Sequence, residues 1–451
     1  MTEPRGDVIA HSQADELTAA QPAWLEQRLE WFRDLRFGLF LHWGIYCQWD
    51  CCESWPLVEE DTWARPDDMA CWRERDRDFA RFCRDYRQLN RTFNPLDFDP
   101  QRWARAAAAA GMGYVTFTTQ HHDGFCMWDT RTTDYRITGP DCPFHTDARS
   151  DIVGRVFDAF RGQGLAISCY FSKSDWHTPY YWHPGAPART RNPNYDTHAH
   201  PERWEQFVRY THAQVEELMT GYGPIDVLWL DGGQVRPPDQ DIRMADMAAM
   251  ARRHQPGLIV ADRTVGGPYE NLITPEQLIP DTPLAVPWES CLTMGDSWKY
   301  VPHDRNKPVG QLLRMLVEVV AKGGNLLLGT GPTPDGTLTA EALTRLDEIG
   351  AWMTVNGEAI RRSRPVAPYS EGNVFYTRRG ETAYALVFDA EESVELRGLQ
   401  PPDGAAVRLL GWPAALTWTR ADHAARVTLP AAARAALPTG PVVFRFPLQT
   451  R

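Results

Sequence analysis

Residues 116–129 read TFTTQHHDGFCMWD, and residues 37–46 read FGLFLHWGIY. Each is an apolar, β-prone run that stops abruptly in His, Asp and Trp. A parallel strand buried on both faces reads as a near-continuous apolar run, and in a barrel it delivers polar side chains at its C-terminal end. Three further stretches end in the same way: LAISCYFSKSDW (165–176), IDVLWLDGG (225–233) and LIVADR (258–263). Five strand ends that converge on aromatics, histidines and carboxylates describe a sugar-processing pocket, and so an enzyme.

Helices fill the intervals. Residues 27–36 form a short helix candidate before the first strand. Asp99 is an N-cap with Pro100 at the first helical position, and the alanine-rich helix that follows stops at Gly111. Ser150-Asp151 opens the next helix. Phe207, Val208, Thr211, Val215, Leu218 and Met219 recur at helical spacing. A helix over 311–321 and a strand over 325–328 follow, whereas residues 52–91 read as a charged, Trp-bearing excursion with helical pieces. Strand–helix alternation of this length favours a (β/α) barrel over an open sheet. After Arg364-Pro365 the pattern changes to short strands at 374–376, 383–388, 406–410, 426–429 and 442–446, a small antiparallel domain of sandwich size. The expected fold class is α/β: an irregular (β/α) TIM-like barrel over 26–362, preceded by a polar lead-in at 1–25 and followed by a β-sandwich over 363–451.

Composition narrows the function. With 47 basic against 59 acidic residues the net charge is -12, which argues against a nucleic-acid partner. No apolar run is long enough to span a membrane and no secretory leader is visible, so a cytoplasmic location is expected. Nine cysteines with no metal-type pairing fit reduced thiols in that compartment. The 18 Trp can fill a large core, but Trp also stacks on the apolar faces of sugar rings, and several sit at strand ends.

Asp231 is the first candidate for chemistry. It closes a hydrophobic strand before Gly232-Gly233, with Trp229 on the same face two residues earlier. An Asp in that setting can be a mere turn former, but an aromatic and a carboxylate facing one pocket favour function. His121 and His122 end another strand. In extended backbone they point to opposite sides, which suits hydrogen bonds to hydroxyls better than shared metal ligation. His42, before Trp43, fits the same picture, with a satisfied core histidine as its competitor. Arg263 at a strand end is an expensive cation unless it meets a carboxylate or hydroxyls. Glu276 in ITPEQLIP and Glu289 in PWESC both could face the pocket, and the residues alone do not choose between them. A retaining glycosidase needs two carboxyl groups roughly 5 Å apart, which Asp231 plus one of these glutamates supplies in kind.

These stretches, together with 98–129, 150–177, PWESCLTMGDSWKY (287–300) and GGNLLLGTGPTPDG (323–336), resemble the α-L-fucosidases of glycoside hydrolase family 29, in the family's order from about Trp31 to Asn356. The resemblance implies retaining, exo-acting hydrolysis of terminal α-L-fucosyl residues by double displacement, on fucosides or fucosylated glycans, with no metal or organic cofactor. It places the nucleophile on Asp231 and sugar contacts on His42, His121, His122, Tyr170, Trp229, Arg263 and Trp298. The family's Glu-Trp pair falls on Glu53 and Trp55, which Ser54 separates here. It favours Glu276 as acid/base, with Glu289 in reserve. Linkage, aglycone and oligomeric state lie in variable loops. Two rivals stand beside this reading: a fucose-binding protein without turnover, and a metal-dependent barrel hydrolase using His42, His121, His122 and Asp231.

Overall fold

The computed structural model describes residues 21–421 and 423–448. Most of the expected lead-in, residues 1–20, lies outside them. Seven parallel strands form one curled sheet: β1 (Phe37–Leu41), β2 (Tyr114–Gln120), β3 (Ala166–Ser172), β4 (Val227–Asp231), β5 (Ile259–Asp262), β6 (Glu289–Thr293) and β7 (Asn325–Thr330), in the order β5-β4-β3-β2-β1-β7-β6. Helices Ala23–Leu35, Pro100–Ala109, Ile152–Gly162, Pro201–Gly221, Met244–His254, Val309–Ala321 and Ala340–Asn356 lie between the strands or flank the sheet in sequence. The first begins at Ala23, four residues ahead of the sequence expectation. Asp99 and Asp151 cap their helices as expected, accepting from the Arg102 and Gly154 amides.

The sheet is open between β5 and β6, and residues 269–277 bridge that gap without forming a regular strand. Against β5, the Asp262 amide donates to the Tyr269 carbonyl and the Asn271 amide to the Val260 carbonyl. Against β6, the Cys291 amide donates to Pro275 and the Gln277 amide to Cys291. Backbone groups that two sheet edges would otherwise leave unpaired are satisfied this way. β6 itself was not anticipated. ESCLT is short, has a Pro-Trp in front of it and shows no period-two pattern, so only its pairing with β7 makes it a strand.

Close packing explains two glycines inside the barrel. A Cβ at Gly38 would stand 2.4 Å from the Tyr114 ring, and one at Gly329 would stand 2.8 Å from Trp298. Their absent side chains make room for two aromatic rings, of which Trp298 lines the pocket.

Beyond residue 363 two antiparallel sheets pack around a core of their own, including Tyr376, Ala385, Val407, Val427 and Phe444. One holds β8 (Arg364–Glu371), β9 (Val374–Arg379), β10 (Thr382–Val387), β12 (Val407–Leu409), β13 (Ala415–Leu416) and β16 (Val442–Pro447). The other holds β11 (Ser393–Leu396), β14 (Trp418–Ala421) and β15 (Ala424–Thr428). Buried Arg36, just ahead of β1, joins this region to the barrel. Its guanidinium donates to the Gly323 and Gly324 carbonyls at 2.6 and 3.0 Å, and to the Ser363 carbonyl.

Candidate active site

The candidate side chains other than Glu289 lie toward or beyond the C-terminal ends of the barrel strands, where a barrel's backbone stops and its loops can carry chemistry. Phe40 in β1 and His42 after it lie two residues apart and face the interior together, as do Tyr170 with Ser172 in β3 and Trp229 with Asp231 in β4. Glu53 and Trp55 come from the loop after β1, Arg263 from the end of β5, Glu276 from the bridging segment and Trp298 from the loop after β6. Glu53, Trp55, Asp231, Arg263, Glu276 and Trp298 line one pocket with Phe40, His42, His121, Tyr170 and Trp229. The intervening Ser54 does not disturb the Glu53 and Trp55 pair; both reach the pocket.

Arg263 organises the centre. Its Nη1 donates to Asp231 Oδ1 at 2.9 Å and its Nη2 to Glu276 Oε2 at 2.7 Å. Nε is held by Thr274 Oγ1 at 2.9 Å, and the guanidinium lies over the Trp229 ring, 4.3 Å from its centroid. A planar fork that meets two carboxylates and an aromatic face is a task for Arg, not Lys. The sequence expectation that this cation needs a carboxylate is met twice.

Asp231 accepts from Tyr170 Oη at 2.7 Å on its other oxygen and from the Gly232 amide at 2.9 Å. Burial alone would raise its pKa. The Arg263 charge and the Tyr170 hydroxyl outweigh that and hold the carboxyl well below its usual range. It is an ionised carboxylate in a largely buried site.

His121 and His122 correct the extended-backbone expectation. The chain turns after Gln120, with the Gly124 amide donating to the His121 carbonyl, and brings the rings together with centroids 4.4 Å apart, His121 on the pocket lining and His122 beside Asp231, its Nε2 3.7 Å from Oδ2. Burial lowers the pKa of each, His122 to about 4, and that of His42 to about 3, so all three are neutral imidazoles. Ser54 Oγ meets His121 Nδ1 at 2.5 Å, and Ser172 and Ser174 flank His122 Nδ1 at 2.5 and 2.8 Å. Nothing in the sequence pattern signalled these serines; Phe40, two residues before His42 on the same face, was findable.

Glu289 lies outside the pocket lining. It sits in the barrel interior at the start of β6, with Oε1 accepting from Trp229 Nε1 at 3.1 Å and Oε2 accepting from the Tyr114 hydroxyl. Burial pushes its pKa up to about 7. Asp123, from the same histidine-rich run, also turns away: it accepts from Tyr86 Oη at 2.8 Å and the Phe125 amide at 3.1 Å.

Among the buried polar atoms without a hydrogen-bond partner in the described residues are three at this site: His42 Nδ1, Glu53 Oε1 and His122 Nε2. Each would cost about 1–3 kcal/mol if left so, which a hydroxyl-rich ligand offsets. One atom each of His121, His122 and Asp231 also lies within 4.8 Å of the others, a spacing that could admit a cation. The donor set fits a cation poorly, because the Asp231 oxygens already hold a guanidinium, a phenol and an amide. A dication would sit beside the Arg263 charge.

Comparison with known proteins agrees with this geometry. The family model described as alpha-L-fucosidase matches residues 8–358. The tissue alpha-L-fucosidase of Homo sapiens is 28% identical over 442 residues, covering 90% of this chain and 86% of that protein. Among solved structures, alpha-L-fucosidase isoenzyme 1 from Paenibacillus thiaminolyticus superposes with a TM-score of 0.77 at 31% identity, over 95% of this chain and all (100%) of that one. The Thermotoga maritima alpha-fucosidase in complex with fucose gives a TM-score of 0.75 at 26% identity, over 95% and 100%. A pocket of this chemistry on a matching fold, with the family's sequence across most of the chain, leads to one conclusion: this chain belongs to the α-L-fucosidases of glycoside hydrolase family 29.

Proposed function

We propose that the chain is a retaining exo-α-L-fucosidase in which Asp231 is the nucleophile and Glu276 the acid/base. The observation that carries this reading is the single Arg263 guanidinium bonded to both carboxylates. One fork spanning both groups suits the separation of roughly 5–5.5 Å used by retaining enzymes better than the roughly 6.5–9.5 Å that an inverting pair keeps for its water.

The steps follow from the charges. Asp231, ionised and aimed by Tyr170 and Arg263, attacks the anomeric carbon as Glu276 delivers a proton to the departing oxygen. The Asp231 charge is consumed in the ester, and Arg263 then faces the new Glu276 carboxylate. That carboxylate takes a proton from a water whose oxygen bonds to the anomeric carbon as the ester bond to Asp231 breaks, which releases fucose and restores the Asp231 carboxylate. The same bonds that hold the Asp231 pKa down make it a good leaving group in this second step. His42, Glu53, Trp55, His121, His122 and Trp298 serve as hydroxyl partners and ring contacts. The rings of Phe40, Trp229 and Trp298 offer an apolar wall that suits the methyl group of a 6-deoxy sugar. A terminal fucosyl residue on a glycoside or glycan is therefore the substrate, and the pocket form supports exo action. Nine unpaired thiols, eight of them buried, support action in the cytoplasm.

The test is nitrophenol release from 4-nitrophenyl α-L-fucoside. Wild-type turnover is expected, with loss in Asp231→Ala and recovery by azide as an inverted fucosyl azide. Glu276→Ala is expected to spare this activated aglycone more than a natural one. Wild-type binding of fucose without turnover of any fucoside would refute the reading.

A further inference from the structure

The hydrogen bonds around His122 determine which of its nitrogens carries the proton. Ser172 Oγ lies 2.6 Å from the Ser174 carbonyl, which can only accept, so the Ser172 hydroxyl hydrogen is committed there. The same Oγ lies 2.5 Å from His122 Nδ1. With its hydrogen spent, Ser172 can only accept from Nδ1–H. The opposite assignment would press a bare nitrogen against an oxygen lone pair at one contact, or two oxygens together at the other. Ser174 Oγ, 2.8 Å from Nδ1, gives the same hydrogen a second acceptor. All three groups are buried. Burial also keeps the ring neutral, so its far nitrogen has no hydrogen of its own.

That far nitrogen, Nε2, is buried, without a hydrogen-bond partner among the described residues, and 3.7 Å from Asp231 Oδ2. A bare nitrogen and a carboxylate oxygen at that spacing are two acceptors awaiting a donor. Asp231 Oδ2 already accepts from Tyr170, so the open valence belongs to His122. In a glycosyl transfer to Asp231, the substrate hydroxyl nearest that point is the 2-OH, on the carbon next to the one attacked. Bonds to the 2-OH tighten as the oxocarbenium-like transition state forms.

We propose that Ser172 and Ser174 are positioning residues that hold His122 as its Nδ1–H tautomer, so that Nε2 is an obligate acceptor for the substrate 2-OH. This inference rests on the α-L-fucosidase reading above. It makes the serine pair, which touches no substrate, a determinant of specificity at C2.

Two measurements on the full chain test it. The first compares kcat/KM for an aryl α-L-fucoside and its 2-deoxy analogue. The Ser172→Ala/Ser174→Ala variant frees the ring to flip its tautomer, and is expected to lose about 10- to 100-fold on the fucoside with little change on the 2-deoxy substrate. Ser172→Thr, which keeps the hydroxyl, is expected to retain the wild-type ratio. An equal fall on both substrates, or no fall, would overturn the proposal, since a merely structural defect cannot see the 2-OH. The second is ¹⁵N NMR of the histidine-labelled wild type, with the His122 signals assigned by their loss in His122→Gln. A protonated Nδ1 and a bare Nε2 are expected, and a protonated Nε2 would overturn the proposal even if the serine variants did not fold. Absence of wild-type turnover on the fucoside would count against the fucosidase reading, and the NMR result would still decide the tautomer.

Discussion

Replacing Glu289 by glutamine tests a carboxyl enclosed in the barrel interior. Glu289 is fully enclosed, with Trp229 Nε1 and the Tyr114 hydroxyl as donors, and burial lifts its pKa from the ordinary 4.5 to about 7. A carboxyl whose folded pKa is raised binds its proton more tightly in the native state than in the unfolded chain. Stability is therefore full below about pH 4.5 and is lost as pH rises through 7. The gap of about 2.5 pH units, at 1.36 kcal/mol each, puts the cost of ionising Glu289 in the folded protein at about 3 kcal/mol. Glutamine keeps the shape, an acceptor for Trp229 and no charge. Urea unfolding of wild type and Glu289→Gln should thus agree within about 1 kcal/mol at pH 5, with the variant gaining about 3 kcal/mol by pH 9. Turnover of an aryl fucoside and of a natural fucoside should both persist in the variant. A uniform destabilisation at every pH would refute the assignment of a strained buried acid. Loss of turnover on the natural substrate, with the activated one spared, would move the acid/base role from Glu276 to Glu289.

Arg263→Gln removes the charge that holds the Asp231 pKa down, so the acidic limb of the kcat/KM profile should move to higher pH, with kcat falling about 10²-fold or more; an unmoved limb in a pH–rate series would contradict the ion pair's role. Lys173 and Asp262 form a buried pair just behind Asp231 and Arg263. Lys173→Met strands the carboxylate and should cost about 3–5 kcal/mol in urea unfolding, much of it recovered in Lys173→Met/Asp262→Leu. Gly329→Ala would drive a Cβ into the Trp298 ring, which stands 2.8 Å from that position, so KM should rise more than kcat falls; steady-state kinetics showing neither change would place Trp298 outside the sugar's reach.

Much of this molecule is legible in its residues. Five of the seven barrel strands announce themselves as apolar runs that end in polar groups, because a strand buried on both faces has no room for anything else. The positions of Asp231, His42, Tyr170 and Trp229 follow from the same logic, since period-two alternation decides which side chains enter the barrel. The adjacent histidines were harder. Alternation predicts divergence, and the turn after Gln120 that brings the two rings together depends on the loop's contacts.

Three things depend on the folded chain. β6 exists because β7 offers it a partner, and ESCLT has no strand pattern of its own. Glu276 reaches Arg263 because residues 269–277 span the gap between two open sheet edges, a requirement that arises only once the sheet has curled. Glu289, chemically identical and thirteen residues on, is turned inward by β6 beneath Trp229. Sequence supplies the carboxylates, but which of them lines the pocket depends on barrel closure. Pairing every edge backbone group fixes which face each side chain takes, and that constraint is non-local.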